Sequence, residues 1–117
     1  MRSGARRHAI VIEQSTEAVG TEGQNKISWR KLFETRASIE PLSGRELFAA
    51  QQVNAEVNTR INFRWRPGVH EALRIRNVGL GELYGILAVL PDKTGRREIT
   101  CMCVRRTAEG WRDGSGQ

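Results

Sequence analysis

The sequence predicts a mainly β fold, a small antiparallel β-barrel or sandwich with one short inserted helix, on three observations. Five or six segments alternate apolar and polar residues at regular spacing, turn signals separate them, and one stretch departs from the two-residue period. The clearest segment is EVNTRINFRWRPG, residues 56 to 68. Val57, Thr59, Ile61, Phe63 and Trp65 share one face of an extended chain, while Glu56, Asn58, Arg60, Asn62, Arg64 and Arg66 share the other. A strand that is core on one side and arginine on the other suits a nucleic-acid groove, a ligand site or a contact with another copy of the chain.

Residues 1 to 7 form a basic, glycine-containing arm, and HAIVIEQ, residues 8 to 14, reads as the first strand. STEAVGTEGQNK, residues 15 to 26, is polar, glycine-rich and aperiodic, which predicts a long exposed loop. Long loops in compact domains carry function, so Thr16, Glu17, Gly20, Glu22, Gly23 and Lys26 are candidates for a contact with a partner. From Ile27 the alternation resumes through Trp29, Phe33, Thr35, Ala37 and Ile39 and stops at Pro41. Ser43 with Glu46 three residues later is a capping-box pattern, in which each side chain satisfies a free backbone N–H at a helix start. Leu47, Phe48, Ala50, Gln51 and Val53 then fit a short amphipathic helix of about two to three turns.

The arginine-bearing strand follows and ends at Pro67-Gly68, a turn signal. HEALRIRNVG is a short strand with Leu73 and Ile75 against Arg74 and Arg76. LGELYGILAVLPD and REITCMCVRR read as an antiparallel hairpin connected through Pro91, Asp92 and Gly95. Residues 1 to 106 are thus expected to form one domain, and TAEGWRDGSGQ, residues 107 to 117, a polar tail that carries a stranded Trp111.

A chain of 117 residues buries roughly two-thirds of its unfolded surface and needs neither disulfides nor metal to fold. No apolar run approaches the ~18 residues of a membrane-spanning helix. The apolar part of the N-terminus, residues 9 to 12, is too short for a signal-peptide core, so the protein is expected to stay in the cytoplasm where it is made. Cys101 and Cys103, two apart on a strand, point the same way and are expected as reduced core residues. His8 and His70 stand alone and begin no ligand spacing, and no cofactor or metal is expected. GLGELYG, residues 79 to 85, lacks the context of a nucleotide loop and reads as a tight turn before a strand. With no nucleophile, base or paired carboxylates in a recognisable pattern, an enzyme is not expected.

The net charge is +6, and of 19 basic residues only Lys26, Lys31 and Lys93 are lysine. The guanidinium fork suits carboxylate and phosphate partners alike. If the strands flanking Pro67-Gly68 pair as a hairpin, Arg60, Arg64, Arg66, Arg74 and Arg76 form one basic face. A small basic barrel that binds nucleic acid is therefore the alternative function. Single-strand binders interleave stacking rings with basic groups, whereas Phe63 and Trp65 belong to the opposite register.

RHAIVIEQ, SWRKLFETRASIEPLSGRELFAAQQVNAEV, TRINFRWRPGV and YGILAVLPDKTGRREITCMCVRR, in this order, resemble the head-tail joining family of long-tailed bacteriophages and prophages, also called head-tail adaptor or head-closure (stopper) proteins. The resemblance spans residues 7 to 106 and is most specific at residues 40 to 46, 64 to 68 and 86 to 89. It implies a small β-barrel with an inserted helix and a structural, non-enzymatic role. Members form a ring, typically dodecameric, in the neck of the virion. That ring lies between a portal-adaptor protein on the head side and a tail-completion or tail-tube protein on the tail side. It closes the channel through which double-stranded DNA passes and gives the tail its docking surface.

A closed ring uses heterologous contacts, so each subunit offers one surface to the next and a different one back. The basic face is then expected to meet protein, with Glu34, Glu40, Glu46, Glu56 and Glu71 as available partners. Twelve phosphate contacts would instead give a log–log salt slope of roughly −11, a grip that opposes DNA release. On this reading the loop at residues 15 to 26 is the better candidate for the lumen or an axial partner.

Overall fold

The computed structural model describes residues 5–19, 25–91, 95 and 97–106. Its strands are β1 (His8–Val19), β2 (Asn25–Pro41), β3 (Thr59–Arg64), β4 (Arg74–Asn77), β5 (Leu83–Pro91) and β6 (Glu98–Arg106), with helix α1 (Gly44–Val53) between β2 and β3. All ladders are antiparallel and close into a barrel in the order β1-β2-β3-β6-β5-β4. The mainly β class, the single helix and the terminal hairpin match the sequence reading, and of barrel and sandwich the chain adopts the barrel. Closure rests on β4, whose four residues pair with residues 10–13 of β1.

Alternation fills the interior. Ile10, Ile12, Ala37, Ile61, Phe63, Ile75, Tyr84, Ile86, Ile99, Cys101 and Cys103 point inward from all six strands, joined by Leu73. Two register shifts keep this pattern in phase. In the β1–β2 ladder, Ile12 faces Phe33 but Glu13 faces Lys31, so Leu32 is an extra residue, left 40% exposed. In the β5–β6 ladder the shift between Ile86 and Ala88 moves the inward parity from Tyr84 and Ile86 to Val89, which packs on the core.

Three expectations are corrected. Residues 15–19 and 25–26, expected in a loop, continue the β1–β2 ladder as far as Val19 opposite Asn25. This hairpin arm, which from residue 14 onward pairs only with itself, rises by ~20 Å. With no sheet packed on either side, no apolar alternation is needed, so the sequence gives no strand signal there; Thr16 and Ser28, both exposed, share a hydrogen bond of 2.9 Å instead. Gly20, Glu22 and Gly23 lie outside the described residues, as do residues 107–117 and the first four of the arm.

The capping box does not form. Ser43 takes the N-cap position with extended backbone, but its side chain makes no capping hydrogen bond. Glu46 is drawn instead to the Arg60 guanidinium at 2.6 Å, a charge-assisted bond stronger than a neutral cap. Ser43→Ala is accordingly expected to change stability by no more than a few tenths of a kcal/mol, against about 1 kcal/mol for a working cap. A denaturant titration checks this. The helix buries no residue fully: Leu47 and Ala50, one turn apart, are half-buried, while Phe48 is 69% and Val53 90% exposed, so only part of its expected apolar face seats on the barrel.

Third, β3 and β4 do not form a hairpin. Residues 65–73 cross the end of the barrel, where Trp65 and Val69 pack against the core and Gly68 takes a φ of 84° after Pro67. So long a connection does not enforce pairing as a two-residue turn does. β3 pairs with β2 and β6, and β4 with β1 and β5.

The buried cysteines carry a pH prediction. Burial, with the negative charge of Glu71 second, pushes the Cys101 thiol up to about 12, and burial, with Cys101 second, pushes Cys103 well above its ordinary value. Between the unfolded thiol value of ~8.5 and these raised values the folded chain holds protons that the unfolded chain has lost. Stability therefore falls as pH rises through that window, by up to about 1.4 kcal/mol per pH unit for each thiol. Urea titrations at neutral pH and above pH ~9 should show the fall.

Candidate functional site

The five arginines expected on one basic face occupy opposite sides of the barrel. Two strands separate β3 from β4 in either direction around the closed order. On the β3 side, Arg60 places Nε and Nη2 on Glu40 Oε1 at 3.1 and 2.8 Å and Nη1 on Glu46 Oε2 at 2.6 Å. The Glu46 hydrogen bond is the main influence raising the Arg60 pKa above the ordinary arginine value. Glu40 is its direct cross-strand neighbour. Glu46 reaches it from α1, so the guanidinium ties the helix to the barrel.

Next along β3, Asn62 points outward yet is only 3% exposed. Its Nδ2 donates to Glu98 Oε1 at 2.9 Å and to Thr100 Oγ1 at 3.1 Å, while Arg6 donates to Asn62 Oδ1 at 2.9 Å and to Glu98 at 3.1 Å. The end of the N-terminal arm thus covers the outer face of β3. Arg64 is exposed, and among the described residues no ion pair engages it. Arg66, also exposed, lies over the Phe33 ring, 4.1 Å from its centroid.

The β4 side is organised by a carboxylate. Glu13, 7% exposed, accepts Arg74 Nε on Oε1 at 2.7 Å and Arg76 Nε on Oε2 at 3.0 Å. Arg74 is also stacked on the Trp29 ring, 4.2 Å from its centroid. β1 presents Glu13 directly opposite Arg74, and the bulge at Leu32 brings Lys31 opposite Glu13 on the neighbouring strand. Arg74, with a side chain 12% exposed, is sealed, whereas the Arg76 side chain is 39% exposed.

These contacts alter the expected pairing of charges. Glu40 and Glu46, expected as partners for a neighbouring subunit, neutralise Arg60 within the chain. Glu34 pairs with Lys31 at 3.0 Å and Glu56 with Arg106 at 3.5 Å, both on the surface, where such pairs contribute little. Glu13 was not singled out from sequence, though a carboxylate closing the apolar run HAIVIE is a signal of a buried pair. Asn62, Glu98 and Arg6 gave no local signal at all, because their meeting depends on β3–β6 pairing. Of the partner-contact candidates, Thr16, Glu17 and Lys26 stand on the hairpin arm, whose base at Trp29 touches Arg74 of the β4 side. Among the described residues no cluster of three or more histidine, cysteine, aspartate or glutamate side chains is placed to hold a metal.

A family model for the phage head completion protein matches residues 1–106. Among solved structures, protein SF1141 from Shigella flexneri 2a superposes with a TM-score of 0.74 at 25% identity, over 93% of this chain and 99% of that one. A chain from the virion of a native gene transfer agent particle superposes with a TM-score of 0.55 at 16% identity, over 85% of this chain and 92% of that one. The latter likeness is one of fold. A comparison with curated proteins returned no match.

Proposed function

The chain belongs to the phage head completion proteins, structural components of the virion that assemble with other virion proteins, and from that premise we propose that it forms a ring in the neck, between head and tail. The ring, dodecameric in the related head-tail joining proteins, closes the DNA channel after packaging and presents the surface on which the tail docks. A portal-adaptor protein bounds it on the head side and a tail-completion or tail-tube protein on the tail side. That a chain of the same fold is part of a gene transfer agent virion supports a place in the virion.

The observation that carries the proposal is the disposition of the arginines. Arg60, Arg74 and Arg76 are already held by Glu40, Glu46 and Glu13, so little of the row is free to condense on a phosphate backbone. The two sides are also different surfaces on opposite faces of one barrel, as a heterologous ring contact requires. Arg64 and Arg66 on one side and the outer edge of Arg76 on the other are left to meet neighbouring subunits. The hairpin arm projects beyond the barrel and is the element with the reach to enter the lumen or touch an axial partner.

The test is native mass of the purified chain, with and without duplex DNA, at low and physiological salt. A monomer or a large ring that ignores DNA at both salts is the expected result. Tight binding by the monomer that weakens steeply with salt would establish the nucleic-acid reading instead.

A further inference from the structure

Two arginines stand at the end of the β2–β3 ladder without a counterion. The rung at that end sets Ala37 opposite Phe63, both inward, so Arg36 and Arg64, one residue beyond on neighbouring strands, point outward. Both are exposed, and among the described residues neither is in an ion pair or a hydrogen bond. Arg66, on the same side, lies over the Phe33 ring. The carboxylate directly across from Arg64 is Glu98, and it is already held by Arg6 at 3.1 Å and by Asn62 at 2.9 Å. Like charges set side by side on adjacent strands repel, so this pair is a cost to the lone barrel that an anion from outside removes.

A second copy of the chain can supply that anion at one place. Among the carboxylates whose side chains are described, every one but Glu71 already pairs with a cation of its own chain. Glu71 is exposed and pairs with none. It stands three residues before β4, in the connection that crosses the barrel end where β3 finishes. Glu71 therefore shares an end of the barrel with Arg36 and Arg64 but belongs to the approach to β4, which two strands separate from β3. A heterologous contact needs such an arrangement, complementary groups on different sides of one subunit. The pairing has a precedent inside the chain, where the two oxygens of Glu13 take one guanidinium each from Arg74 and Arg76. We propose that Glu71 of each subunit seats between Arg36 and Arg64 of the next. The inference rests on the ring reading and deepens it, because it names the contact that brings the β3 side of one barrel to the β4 side of another.

The test is charge reversal, read by mass spectrometry as copies of the chain per assembled particle, with Arg64→Glu, Glu71→Arg and the double variant each replacing the wild-type chain. Both side chains are exposed and engage no described group, so neither reversal unfolds the barrel. Each single reversal sets like charges against each other across the contact and is expected to lower incorporation by about tenfold. The double variant restores a pair of opposite charges and should recover most of the wild-type level. Single variants incorporated at the wild-type level, or a double variant no better than the singles, would overturn this contact and leave the ring standing. Wild-type particles whose necks lack the chain would overturn the ring, and this contact with it.

Discussion

Glu13→Gln is expected to destabilise the fold by about 3–5 kcal/mol, the cost of leaving a buried charge without its partner. Glu13 is the shared counterion of Arg74 and Arg76. Arg76 can turn to water, but the Arg74 side chain is only 12% exposed and is held against Trp29. The loss falls where the barrel can least absorb it, on the four-residue ladder that closes β1 on β4. Glu13→Gln combined with Arg74→Met should cost less than Glu13→Gln alone, because removing both charges leaves neither uncompensated. Urea unfolding of the two single variants and the double variant gives the coupling. A loss below about 1 kcal/mol for Glu13→Gln would show that the pair behaves as an exposed one.

Phe63→Ala should cost a similar amount, about 3–5 kcal/mol, for a different reason. The Phe63 ring is fully buried near the C-terminal end of β3, with Ala37 opposite on β2, Ile99 opposite on β6, and the Phe33 ring 6.4 Å away. Strands fixed by hydrogen bonds on both sides cannot collapse into the vacated space, so the cavity persists. Against the ~5–15 kcal/mol by which domains are stable, this takes a large share of the fold's margin. Phe63→Leu, which keeps most of the volume, should cost well under half as much in the same denaturant titration, and equal losses would argue that packing at Phe63 is not what holds β3.

The barrel was legible wherever one face of a strand meets the core. Ile61 and Phe63, Ile99 with Cys101 and Cys103, and the partners Tyr84 and Ile86 all alternate in sequence as they do in the fold. What was not legible was non-local. The arginines of β3 and β4 lie close in sequence, but the connection through Trp65 and Val69 sends the strands to opposite sides, and nothing in a local pattern reports that. The hairpin arm was not legible for the converse reason, since a ladder that from residue 14 onward pairs only with itself and not with the rest of the barrel carries no apolar period to read. The Ser43/Glu46 motif was present, but Arg60 competes for Glu46, and its position opposite Glu40 follows from the β2–β3 register. The charged surfaces are thus set by pairing register, while the class of fold is set by residues read one strand at a time.

The placement of the barrel in the virion is tested most directly by electron cryomicroscopy of the particle neck. The account predicts a ring of these barrels between head and tail, with the β3 side of each subunit, including Arg64 and Arg66, against the β4 side of the next, and the hairpin arms directed to the lumen or to an axial partner. Arg64 and Arg66 lining the channel against DNA, or a neck without this barrel, would contradict it.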